Sequence, residues 1–244
     1  MKKFTKIILI VVASVLALGF LKDGIVQVTL ETAISKFLPV SVHVGRTRAS
    51  FIKSTIELKA VKVSNVHGFP EKLLADIPFI FIQYEPGGLA KHMAHFQKIQ
   101  LDLKELTVVK NKEGKLNVEA FKSPKQDAKA SSKQSSATLK IDTLVLSIGR
   151  VVYKDYSGLG QPSTQTFEIQ MKDRTYHNIN NPTVIASLVM TEVISRSALS
   201  RITNLDISFF KDQAGGLLSD AVDLSQVGVG KVGDTAKNIL KLFN

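Results

Sequence analysis

The sequence predicts an α+β protein: an N-terminal transmembrane helix, then a curved, mostly antiparallel β-sheet forming a groove or half-barrel, then C-terminal helices. Three observations carry that expectation. Residues 1–21 join a basic start to an unbroken apolar run. From Pro39 to about residue 180, apolar residues recur at every second position, the period of a strand with one face covered. After Asn178 the period lengthens to that of a helix.

Composition bounds the alternatives. The chain has 244 residues, 44% of them hydrophobic and 22% charged, which excludes global disorder. Cysteine is absent, so a disulfide framework, a thiolate metal site and a cysteine nucleophile are excluded.

In MKKFTKIILIVVASVLALGFL, Lys2, Lys3 and Lys6 precede apolar or small residues from Ile7 to Leu21. Fifteen helical residues rise about 22 Å, short of the ~30 Å hydrocarbon core until Phe4 and the apolar positions after Leu21 are added. A cleaved signal peptide would use Ala17-Leu18-Gly19, and a retained anchor needs the helix to continue. Ile25, Val28, Ala33, Ile34, Phe37 and Leu38 suit one face of an amphipathic helix over 22–38, so the anchor is the preferred reading. Either way the lysines hold the N-terminus in the cytoplasm and the bulk is exported, in a bacterium to the periplasm. The net charge of +11 then reads first as scattered lysines that solvate an apolar-rich chain, and second as attraction to anionic lipid. No nucleic-acid partner is expected.

The β region opens with Val40, Val42 and Val44. Three longer segments share a pattern: Ile56-x-Leu58-x-Ala60-x-x-Val63, Ile99-x-Leu101-x-Leu103-x-x-Leu106 and Ile141-x-Thr143-x-Val145-x-x-Ile148. Each alternates and then skips a position, as a β-bulge that restores the face would require. They suggest a repeat of bent antiparallel strands in a meander. Ile56, Leu58, Ile99, Leu101, Leu103, Ile141 and Val145 are the candidate lining of an apolar groove. Asn65–Gly68, Asn111–Gly114 and Asp155–Gly158 carry the Asx and Gly preferences of type I turns, as does Asp212–Gly215 after Leu205, Ile207 and Phe209. Ile77–Ile82 is apolar on both faces, and Pro78 argues for a strand start or an edge. Phe167, Ile169 and Met171 alternate with polar residues in a further strand. These features divide the chain into a β region at 39–121, a Lys/Ser/Ala-rich linker or loop at 122–138 and a second β region at 139–180.

A C-terminal helical region follows at 181–244, with a possible strand at 204–210. Asn181-Pro182 supplies a helix start, and Ile185, Leu188, Val189, Val193, Ala198, Leu199 and Ile202 form a stripe facing the core. Asp234 can cap a last amphipathic helix carrying Ile239, Leu240 and Phe243.

Chemistry-bearing motifs are weak. Gly228-x-Gly230-x-x-Gly233 lacks a βαβ context and reads as a joint before the last helix. His92 and His95 would share a helix face, but no suitably spaced carboxylate accompanies them. There is no Gly-x-Ser-x-Gly elbow and no Walker loop. No catalytic residue, metal or cofactor is expected.

The order of these features resembles the N-terminal module of the AsmA family of bacterial envelope proteins over roughly residues 1–121. An anchor and amphipathic helix lead to Pro39–Gly45, a strand at Ile56–Val63 and Ser64-Asn65-Val66-His67-Gly68-Phe69-Pro70. An apolar strand at 77–84 follows, then Ile99–Val109 and Gly114-Lys115-Leu116-Asn117. The resemblance implies a single-pass inner-membrane protein with an apolar β-groove, no catalytic residues, and a role in phospholipid traffic or outer-membrane homeostasis. Its implied partners are the membrane, phospholipid and other envelope proteins. An anchored interaction module, its groove plugged by its own helix 182–202, is the competing expectation. Eight or so strands at ~4.8 Å span only about 40 Å, too little to bridge an envelope alone.

Overall fold

The computed structural model describes residues 23–28, 31, 40–89, 93–122, 138–218 and 221–223. The apolar run 7–21, most of the linker 122–138, Gly228–Gly233 and the helix expected after Asp234 lie outside the described residues. Among the described residues no helix is long and apolar enough to cross a membrane.

The fold is α+β, and its centre is one open sheet in sequential order. The strands are β1 (Val42–Ser50), β2 (Thr55–Ser64), β3 (Leu73–Tyr84), β4 (Met93–Lys110), β5 (Thr138–Asp155), β6 (Ser163–Ile179) and the two-residue β7 (Val222–Asp223). Every pairing is antiparallel except β4–β5, which is parallel. The expected meander is therefore interrupted once. The reason is the 27-residue connection at 111–137, long enough to return the chain to the start of the preceding strand, as a parallel pair requires. The β regions on either side of the 122–138 linker thus belong to one sheet.

The predicted skip in alternation is present, and it crosses the sheet. Buried positions change parity between Val44 and Thr47, Leu58 and Val61, Leu103 and Leu106, and Ile148 and Val151. In register these points meet along one transverse line: Gly45 opposite Ala60, Ala60 opposite Pro78, Lys104 opposite Gly149. Ala60 takes the left-handed conformation (φ 52°), as does Gln170 opposite the β5–β6 register shift (φ 49°). The buried residues on both sides of the line belong to one core, so the break keeps the apolar side chains on one face. Pro78 is consequently neither a strand start nor an edge residue. It sits inside β3 on this line, where the ladder is already interrupted and its missing N–H costs nothing. Gly149 is required by close approach, because a Cβ there would lie 2.6 Å from the Lys104 carbonyl oxygen.

Of the four turn tetrads, Asn111–Gly114 closes as expected, Gly114 N donating to Asn111 O at 3.0 Å, while at Asn65 and Asp155 only the side-chain cap forms. Asn65 Oδ1 accepts from Val66 N, Asn111 Oδ1 from Lys115 N and Asp155 Oδ1 from Ser157 N. The fourth does not follow a strand. Residues expected as a strand at 204–210 enter helix α3 (Ser208–Ala214), and Gly215 (φ 53°) closes that helix. The helical stripe is also two helices, α1 (Pro182–Ser195) and α2 (Leu199–Thr203), with Ile202 exposed.

Asn117 explains the Gly-x-x-Asn spacing. β3 leaves β4 after Leu106, and the fully buried Asn117 amide fills the vacated edge. Its Nδ2 donates to Thr107 O and to Asn65 Oδ1, each at 2.9 Å, and its Oδ1 accepts from Val109 N at 2.9 Å. At β1, an outer strand of the sheet, side chains meet three backbone groups. Gln27 Nε2 donates to Val44 O, Glu31 Oε1 accepts from Val44 N (both 2.7 Å), and Asp23 Oδ1 accepts from Ala49 N at 2.8 Å. Asp23, Gln27 and Glu31 thus satisfy outward backbone groups of Val44 and Ala49 on an otherwise unpaired strand edge.

Candidate functional site

Cross-strand partners share a face, so the register assigns each predicted groove residue to a side. Ile56 pairs with Ile82, Ile82 with Ile99 and Ile99 with Leu144; Leu58 pairs with Ile80, Ile80 with Leu101 and Leu101 with Leu146. These are two adjacent apolar rows running across β2–β5 on one face. Leu103 continues the face next to Ile148 and Met171, and Ile141 lies between Phe96 and Ile179. Val145 does not belong. It is flanked by Leu144 and Leu146, pairs with Gln100 and Thr175, and is buried on the opposite side.

The face is unevenly covered. Over β5 and β6 it is closed by α1, whose Leu188, Val193 and Ile194 are buried in the same core as Leu144 and Leu146. Leu58, Leu103 and Ile141 are buried as well. Ile56, Ile80, Ile99 and Leu101 are only partly buried, packed against that core from its rim. The predicted lining thus divides into a covered half and a strip over β2–β4. Sequence reasoning missed Ile80 and Ile82. Their signal was the apolar run 77–82, which pointed to neither face.

Thr47 pairs with Leu58 at the β1 end of the second row, and its buried Oγ1 has no hydrogen-bond partner. Arg174 pairs with Leu146 at the far end. There Glu192 of α1 lies almost fully buried, accepting from Tyr176 Oη at 2.7 Å and from Arg196 Nε at 2.8 Å, with Arg174 Nε 3.1 Å away. Burial and then the Glu192 bond push the Tyr176 phenol well above its ordinary value, which keeps it a donor. This network fixes α1 to the sheet.

The opposite face carries charge. Lys62, Asp76, Glu105, Arg150 and Glu168 follow one another across β2–β6, with Lys62 Nζ 2.7 Å from Asp76 and Arg150 Nε 2.7 Å from Glu105. Glu105 raises the Arg150 guanidinium further above its ordinary value. One face is therefore oily, and the other carries a row of ion pairs beside a mixed row of Glu57, Phe81, Gln100, Val145 and Thr175.

His95 lies on β4 rather than on a helix, so the helical His92/His95 pair does not form there; His92 is outside the described residues. The His95 ring is held between two carboxylates, Glu85 on Nδ1 and Asp142 on Nε2 (2.8 Å), and Lys140 Nζ pairs with Asp142 at 2.8 Å. Asp142 and then Glu85 raise the His95 pKa above its ordinary value. Lys140 and His95 lower that of Asp142. Among the described residues no group of three His, Asp or Glu has metal-holding geometry. The arrangement is an ionic clasp joining the β3–β4 connection, β4 and β5.

Compared with family models, with curated proteins and with solved structures, the chain matches none.

Proposed function

We propose that the chain is a non-enzymatic, inner-membrane-tethered envelope protein of the AsmA-like type, which handles phospholipid on the apolar strip over β2–β4. The observation that carries this reading is the pair of apolar rows, Ile56–Ile82–Ile99 and Leu58–Ile80–Leu101, on one face, in which Leu58 and Ile82 are buried and the other four side chains stay partly accessible. Three strands at ~4.8 Å spacing make the strip about 10 Å wide, enough to seat an acyl chain or two. Apolar side chains left partly accessible together on one face are the lining a ligand or partner site needs. The basic-then-apolar start supports the tether, and its lysines place the N-terminus in the cytoplasm and the bulk in the periplasm.

A second reading is an anchored interaction module whose groove is filled from within. The seating of α1 over Leu144 and Leu146 favours it for the β5–β6 half. Native mass spectrometry of the full chain, gently extracted from membranes, separates the two. The lipid reading expects bound phospholipid, lost in Ile99→Glu while the fold is retained, because Ile99 is at the rim. A lipid-free chain in both forms contradicts it and leaves the plugged module.

A further inference from the structure

Among the described residues the large hydrophobic side chains most exposed to solvent include Phe51 and Ile52 at one corner, and Ile25 and Val28 on the segment that leads away from it along β1. Phe51 and Ile52 are 61% and 100% exposed at the turn between β1 and β2. Lys53 follows them, and Arg46 and Arg48 project from β1, all three exposed. The acidic groups at this end are otherwise engaged. Glu57 is opposite Arg48, while Glu85 and Asp142 hold His95. Asp23 bonds Ala49 next to the turn and Glu31 bonds Val44 further along, so the 23–31 segment runs antiparallel to β1. Everything before Asp23, including the apolar run 7–21, therefore joins the fold at the Phe51–Ile52 corner.

We propose that the Phe51-Ile52-Lys53 tip is an interfacial foot: it inserts its two apolar side chains among the headgroups of an anionic bilayer, at the end where the chain enters the fold. Apolar side chains flanked by lysine and arginine are the composition that settles at a lipid interface, the rings and branches buried shallowly and the cations on the phosphates. The foot sets the sheet's orientation, with the β1–β2 turn and the β3–β4 connection toward the membrane and the β5–β6 turn away from it. It rests on the tethered reading above and adds which end meets lipid.

The chain has no cysteine, so single probes are clean. The full chain carrying I52C or L159C is labelled with an environment-sensitive fluorophore. It is then reconstituted in phosphatidylethanolamine vesicles containing phosphatidylglycerol and a lipid-borne quencher. Leu159, at the opposite end, is 107% exposed and serves as the reference. Flotation reads the tether; quenching reads the foot. Quenching several-fold stronger at 52 than at 159, and weakened by Arg48→Glu with Lys53→Glu, is the expected result. A chain that floats with equal quenching at both sites overturns the foot alone. A chain that does not float overturns the tether and the foot with it. Shielding at 52 that persists in detergent and grows with protein concentration assigns the tip to a second copy and also overturns the foot.

Discussion

At the scale of single residues, the transverse break has one position, Gly149, where an added side-chain atom meets main chain. Gly149→Ala places a methyl group 2.6 Å from the backbone oxygen of Lys104, and the neighbour that must yield is main chain. The variant is expected to lose about 1–3 kcal/mol, the usual cost of overpacking, read as a shift in denaturant midpoint. His95 provides a pH signature. Because two carboxylates raise its pKa above 6.5, the clasp contributes below that value and is lost as pH rises through the raised one. Asp142, depressed below 3.8, sets the opposite limit, its contribution disappearing as pH falls through the depressed value. Glu85 and Asp142 are partly exposed, with 48% and 36% of their side-chain surface accessible, so water screens the clasp. A difference of about 0.5–1 kcal/mol between wild type and His95→Gln is expected near pH 5.5, shrinking toward zero near pH 9. Melting curves at the two pH values check it; a constant difference contradicts the clasp.

At the scale of elements, α1 is the piece that decides how much of the oily face stays open. Leu188 is wholly buried in the core, so Leu188→Ala is expected to cost about 2–5 kcal/mol in equilibrium unfolding. A loss under about 1 kcal/mol would mean that the helix is not seated on β5–β6 as described. Strand and helix periods were legible in the sequence because they are local. The parity skips at Leu58…Val61 and Leu103…Leu106 are also real, since a bulge leaves its mark in the spacing of its own strand. The third skip was misplaced. Leu144, Val145 and Leu146 are all buried, and alternation cannot tell a strand covered on both faces from one that skips. The same ambiguity left Ile80 and Ile82 without a face. Strand partners were beyond local reading: Ile99 next to Leu144 in parallel is a contact across 45 residues, set by the long connection rather than by either segment.

At the scale of the whole molecule, the chain is a sheet with two chemically different sides, lined by the 23–31 segment along β1 and paired by β7 over two residues of β6. Ion pairs compensate one side, and α1 to α3 cover half of the other. The apolar strip over β2–β4 is what remains between those helices and the segment along β1. Of the seven residues expected to line a groove, Ile56, Ile99 and Leu101 reach this strip. Leu58, Leu103 and Ile141 form buried floor, and Val145 belongs to the other side. The central claim is that lipid meets this strip and not its reverse. Ile99 and Gln100 are adjacent in sequence and on opposite faces, so each serves as the other's control. A photo-crosslinking residue at either position, in the full chain irradiated in native membranes, is therefore the most direct test. Phospholipid adducts are predicted at position 99 and not at position 100. Equal labelling at both positions, or protein adducts alone at 99, would contradict the account.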